Sequence, residues 1–279
     1  MKSRFPYTLS VKPYWHDHFF EGQAVFPAVE ALITLAAAVR SLYPRAVLHH
    51  MTGAQFPKRL TLEPAGNQQP VQIEIETSEA GISAALLTSI KIRNNTIGRT
   101  LEHARVIFIQ DDLLPGQTLP FRAAGKLNGA CISVPAVSVY RELIPFGVSY
   151  QNMVGDLSVS EEGALADISG GGGEEDESPL GSPFVLDAAM HAACVWGQRF
   201  ADIVSFPVGL DRRIIHNTTR KGMSYCARIK PLIANGGTLI FDAWIFDQDG
   251  IMCESIHGLQ MRDISQGRMR PPRWIKEGV

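Results

Sequence analysis

A chain of 279 residues, 45% hydrophobic and 19% charged, can bury a substantial core, either as one large domain or as two modest fused units. Its formal net charge of −2 excludes a general polyanion-binding role, which needs a clear excess of Lys and Arg, so nucleic acid is not an expected partner. Cys131, Cys194, Cys226 and Cys253 show no C-x-x-C spacing and read as reduced thiols of a cytoplasmic protein, and no secretory signal pattern follows Met1.

The first half opens with an aromatic-rich segment through Trp15, Phe19, Phe20 and Phe26. Pro27 suits the first turn of a helix, where its missing N–H costs nothing. Val29, Leu32, Ile33, Leu35, Ala36 and Val39 then cover most sides of that helix, which should end near Tyr43-Pro44. This most apolar run contains Glu30 and Thr34 and is too short to span a bilayer, so no membrane association is expected. Val71, Ile73 and Ile75 alternate with Gln72, Glu74 and Glu76, the period of a half-buried strand. Ala84 to Ile92 and Ile97 to Ile109 are expected as further strands around an Asn94-Asn95 turn. A buried helix followed by long antiparallel strands is the layout in which a sheet curls around a helix.

The second half repeats the plan. Ser182-Pro183 introduces an apolar helix over Phe184 to Ile203, and strands follow at Tyr225 to Ile229, Leu239 to Phe246 and Ile251 to Met261, with a turn at Asp249-Gly250. The closing hairpins run parallel, with Ile92, Ile97 and His103 matching Ile245, Ile251 and His257, which favours a duplicated unit. The units are expected at 1–112 and 134–279, joined by a Pro- and Gly-bearing linker at 113–133. A second break, Ser169 to Gly181, holds four consecutive glycines and then Glu174, Glu175, Asp176 and Glu177, the composition of a solvated surface loop.

Two places could carry chemistry. His18, Gly22 and Pro27 form H-x-x-x-G-x-x-x-x-P directly before the first helix, so an imidazole lies beside a helix N-terminus, reached through a turn that Gly22 permits. A thioester carbonyl would be polarised there while a neutral histidine removed the α-proton. By itself the pattern suits a hydrogen-bonded structural histidine equally well. Asp187 and His191 share one face of the second helix, and a carboxyl among Val185, Leu186, Ala188 and Ala189 should favour its protonated form and could donate to a leaving hydroxyl. His191 could orient that carboxyl. An exposed Asp near a helix start is the plainer alternative, weakened by the matching positions of the two sites in the two halves.

His18-Phe-Phe-Glu-Gly22-Gln-Ala-Val-Phe-Pro27, Leu186-Asp187-Ala-Ala-Met-His191 and Phe206-Pro207-Val208-Gly209-Leu210 together resemble the motifs of dehydratase domains of polyketide synthases and polyunsaturated fatty-acid synthases, in order and through nearly the whole chain. The resemblance implies an α+β double hotdog, two tandem units each with an antiparallel sheet wrapped around a central helix. It implies conversion of a 3-hydroxyacyl thioester to a trans-2-enoyl thioester by syn elimination of water, with His18 as base, Asp187 as acid and His191 as its orienter. Gly22, Pro27, Ala28, Phe146, Gly147 and Tyr150 are the implied substrate-binding positions. The chain departs from the family in three places. Phe146-Gly147-Val148-Ser149-Tyr150 stands for Y-G-P-x-F, Ala28 for a glycine, and Ser182-Pro183 where His-Pro is common.

The resemblance also implies no cofactor beyond the phosphopantetheine of a carrier protein. An acyl carrier protein is therefore the expected partner, with other synthase subunits and a second copy of the chain left open. Arg212, Arg213, Arg220 and Lys221 are candidate docking contacts, with ordinary solvated charge as the alternative. His16, His18 and the His49-His50 pair find no third ligand at useful spacing, so no metal is expected, and His103 and His257 should be structural. Two further readings share the fold: a product-template-like cyclase, and a non-catalytic double hotdog that binds a carrier protein.

Overall fold

Two long apolar helices, each wrapped by antiparallel strands, organise the chain. The computed structural model describes residues 2–64, 66–91, 98–110, 119–172, 178–235 and 237–277. The first half contains β1 (Lys2–Ser10), a 3-10 turn (Pro13–Asp17), a small ribbon of β2 (Phe19–Phe20) and β3 (Gln23–Ala24), α1 (Ala28–Leu42), β4 (His50–Gln55), β5 (Gln68–Ser78), β6 (Gly81–Lys91) and β7 (Gly98–Phe108). The second contains α2 (Phe121–Ala124), β8 (Ile132–Pro135), α3 (Ala136–Ser138), β9 (Met153–Ser160), β10 (Gly163–Ser169), α4 (Pro183–Phe200), β11 (Phe206–Ile215), β12 (Ser224–Asn235), β13 (Thr238–Asp247), β14 (Met252–Arg262) and α5 (Arg273–Glu277).

Apart from the ribbon, the strands form one sheet in the order β1-β5-β6-β7-β4-β11-β14-β13-β12-β10-β9-β8. The order exposes the duplication. β1, α1, β4, β5, β6 and β7 recur as β10, α4, β11, β12, β13 and β14 with the same pairings, and β4 joins β11 antiparallel at the seam. This is the α+β double hotdog that the family resemblance implied. The expected hairpin match is the pair β6–β7 and β13–β14, with His103 and His257 on corresponding strands; Asn94-Asn95 and its flanking Ile92 and Ile97 lie outside the described residues.

Leu32, Leu35, Ala36 and Val39 of α1 are fully buried, and α1 packs on β5, β6 and β7. Each such leucine contributes roughly 1.5–3 kcal/mol relative to exposure. Every residue of α4 from Pro183 to Gln198 is buried, because β9 to β13 cover it on one side and α1 touches it on the other. Ser182 caps α4, its Oγ accepting from Phe184 N at 3.3 Å. The helix stops at Phe200, three residues before the expected end. Asp202 turns left-handed (φ 57°), and Ala201 N and Ile203 N both donate to Gly197 O, so the apolar tail Ile203-Val204 leaves the helix although its composition would continue it.

Several strands carry no legible period. β1 holds Pro6, tolerated because β1 is an edge strand. β4 and β11 hold Gly53, Pro207 and Gly209, and their ladders are irregular. Inside the expected 113–133 linker, residues 113–118 lie outside the described residues, while α2 and the first residues of β8 fall within it. Of the Ser169–Gly181 break, residues 173–177, including Glu174, Glu175, Asp176 and Glu177, lie outside the described residues.

Candidate active site

His18 follows the 3-10 turn and is locked to Val25 on both sides of the ribbon. Val25 N donates to His18 O at 2.9 Å, and the His18 ring nitrogen Nδ1 lies 3.0 Å from Val25 O. Since a carbonyl only accepts, Nδ1 carries the proton and Nε2 is the basic nitrogen. The connection between β2 and β3 is the two-residue turn Glu21-Gly22, both at positive φ (49° and 76°), as a tight hairpin requires. Gly22 therefore shapes the loop that carries His18. Pro27 is the N-cap of α1 rather than a residue of its first turn, and Ala28 is the first helical residue, with no side chain capping the helix start.

The second half brings its own residues to the same place. The ring centroid of Phe146 lies 4.4 Å from His18 and 5.2 Å from His191, so this phenyl group packs against both imidazoles. Tyr150 stacks edge-on against His18 at 5.2 Å. On α4, His191 Nε2 lies 3.0 Å from Asp187 Oδ2, an ion-pair distance whose alignment falls short of a hydrogen bond. Tyr140 Oη accepts from Met153 N at 2.9 Å and lies 3.4 Å from His191 Nδ1. Its one proton is thus free to point to Nδ1, which turns an Nε2–H toward Asp187.

Burial holds the His18 pKa below its usual 6.5; an ionised Asp187 would oppose the shift and a protonated His191 would add to it. Burial likewise raises the Tyr140 and Tyr150 phenols, which stay protonated.

A cavity of about 580 Å³ opens where the starts of α1 and α4 meet, lined by Tyr14, Glu30, Ser182 and Thr219 with Lys12, Arg220 and Lys221. Glu30 is 2% exposed and accepts from Tyr14 Oη at 2.6 Å, and burial raises its pKa. Tyr14 packs on Tyr150 and Phe184, so one layer of rings separates this cavity from His18.

Residues 138–271 match the family model described as the polyketide synthase dehydratase N-terminal domain. Over those residues, just under half of the chain, it is similar to that family. No curated protein matches the sequence. Solved structures resemble the whole chain. The dehydratase domain of the CurJ module of curacin polyketide synthase superposes with a TM-score of 0.70 or better, at 0.72, with 16% identity, covering 96% of this chain and 94% of that one. A dehydratase domain of a trans-AT polyketide synthase from Brevibacillus brevis gives 0.68 with 20% identity and 94% of each chain. The dehydratase domain of PpsC from Mycobacterium tuberculosis, in complex with C12:1-CoA, gives 0.67 with 16% identity, covering 94% and 93%.

The family match begins in α3 and ends past β14, so it includes Asp187, His191 and the Phe146–Tyr150 turn but not His18. Among the described residues no group of three or more metal-ligating side chains forms, and no helix is long and apolar enough to cross a membrane. His103 is spent on Lys58 O and Thr88 Oγ1, and His257 pairs with Asp242 at 3.5 Å. Arg213 is not a docking contact: it is 2% exposed, its Nε donating to the buried Glu254 at 2.7 Å, because β11 turns it inward.

Four residues near the site escaped sequence reasoning. Tyr140, Tyr14 and Glu30 sit in no motif. Asp17 stood out only as the residue between two histidines, a signal that gave no hint of its partners on the other half.

Proposed function

We propose that the chain dehydrates a 3-hydroxyacyl thioester to a trans-2-enoyl thioester by syn elimination, with His18 as base and Asp187 as acid. The hydrogen bond from His18 Nδ1 to Val25 O carries this reading, because it leaves Nε2 basic on an imidazole that burial keeps neutral. Nε2 takes the α-proton, the released electron pair forms the C2–C3 double bond, and the C3–O bond breaks. Asp187 gives its proton to the departing hydroxyl, which leaves as water. His191 orients the Asp187 carboxyl and is itself steadied by Tyr140. The uncapped amides at Ala28 and Val29 lie at the positive end of the α1 dipole, where they favour charge developing on the thioester oxygen. Phe146, Gly147 and Tyr150 wall the acyl group from the α4 side.

The acyl group is delivered on the phosphopantetheine of an acyl carrier protein within a synthase, and the chain needs no cofactor of its own. Lys12, Arg220 and Lys221 around the cavity have the sign that suits the phosphate of such an arm. The PpsC domain bound to C12:1-CoA supports an acyl thioester as the ligand class.

3-Hydroxybutyryl and longer 3-hydroxyacyl thioesters, offered to the purified chain, should yield enoyl absorbance and a product 18 mass units lighter, the mass of water, by elementary stoichiometry (about 18). His18→Ala and Asp187→Asn should each lower kcat by about 10²–10⁴-fold, the usual worth of a positioned acid or base. A wild-type chain inert across all chain lengths would sink the proposal, and an active double variant would move the site elsewhere.

A further inference from the structure

Tyr150 is fully buried, yet its hydroxyl finds no hydrogen-bond partner among the described residues. Buried phenols are almost always partnered, so an orphan beside a basic imidazole marks a place where something else supplies the acceptor. The ring is not loosely held. It stands against His18, Phe146, Phe184 and Tyr14, with centroids 5.2 to 6.4 Å away.

The backbone beneath it is tied down with equal care. Asp17, the residue before His18, accepts from Ser149 Oγ at 2.6 Å and from Ser149 N at 3.0 Å through Oδ2, and its carbonyl accepts from Gly147 N at 2.8 Å. Tyr150 N donates to Gly147 O, and the side chains of Gln151 and Asn152 donate to Phe146 O and Ser149 O. One carboxylate thus fixes the base of the first half and the phenol of the second in a common frame. A Cβ at Gly147 would fall 2.4 Å from that carboxylate, which is why the turn needs glycine there.

We propose that the Tyr150 hydroxyl donates a hydrogen bond to the 3-hydroxyl oxygen of the substrate, and that Asp17 is the positioning residue that holds it there. The proposal rests on the dehydratase reading above and adds to it the group that recognises the hydroxyl to be lost. Tyr150 acts only as a donor. Burial pushes its ionisation well above the ordinary phenol range, so the proton stays on oxygen throughout the working pH. With Phe146 carrying no hydroxyl, Tyr150 is the phenol that touches His18.

The test separates recognition of the hydroxyl from binding of the chain. In an Asp187→Asn background, which is expected to bind without turnover, calorimetry compares a 3-hydroxybutyryl pantetheine thioester with the butyryl thioester that lacks the hydroxyl. Tyr150→Phe, which keeps the ring, should weaken the hydroxylated ligand by about three- to tenfold, the worth of one hydrogen bond, and leave the butyryl ligand unchanged. Asp17→Ala, which removes the oxygen that accepts from Ser149, should reproduce that selective loss. Equal weakening of both ligands, or of neither, overturns the role of Tyr150 while the dehydratase reading stands. If the Tyr150 parent binds neither thioester, the dehydratase reading itself fails, and this proposal with it.

Discussion

At the scale of single residues, the nitrogen that His18 spends on Val25 decides what the other nitrogen can do. Nδ1–H is committed to a carbonyl, so Nε2 titrates as the base. Because burial lowers the His18 pKa, the protonated, inactive form accumulates only on the acid side of 6.5. The sign follows directly: kcat/KM should be intact above that pH and fall as pH drops through the lowered value. A pH–rate profile with its acid limb centred at or above 6.5 would contradict the assignment. The same shift links to stability, since the unfolded chain binds the proton first and folding weakens as pH falls below 6.5. Tyr140 acts one step further out, setting which nitrogen of His191 faces Asp187.

Elements decide whether those residues meet. The turn from Phe146 to Tyr150 reaches the His18 loop only through Asp17, and the approach is so close that Gly147→Ala should force the two apart. Activity should drop at least tenfold while circular dichroism stays native, as about 1.4 kcal/mol of lost positioning would produce. Retained full activity would mean that the turn tolerates displacement. At the seam, β11 and β14 bury Arg213 against Glu254, at 2% and 0% exposure. Removing the cation leaves an uncompensated buried carboxylate, so Arg213→Ala should cost about 3–5 kcal/mol in urea unfolding. A loss under 1 kcal/mol would show that water reaches Glu254. Much less was legible here from sequence: β4 and β11, which make the seam, contain glycine and proline and no alternation, and their pairing follows from which edges the two helices leave open.

The whole molecule behaves as a doubled unit with one interior. A single core cluster runs from Leu9 in β1 to Ile275 in α5 and includes both central helices, so the halves share their apolar contacts. Urea unfolding followed by tryptophan fluorescence and by far-ultraviolet circular dichroism should therefore give one coincident transition. Two separated transitions would mean that the proposed units at 1–112 and 134–279 are independent. The sequence by itself determined the two apolar helices, the alternating strands around the first, the duplication, and the His18 and Asp187 motifs, because these are written in periods and spacings along one stretch of chain. Only the tertiary structure decided the seam between β4 and β11, the inward turn of Arg213, the Asp17–Ser149 tie and the company that Tyr150 keeps. Each of these depends on residues more than a hundred positions apart, or on the side of a strand that faces the core, and no local pattern encodes such a meeting.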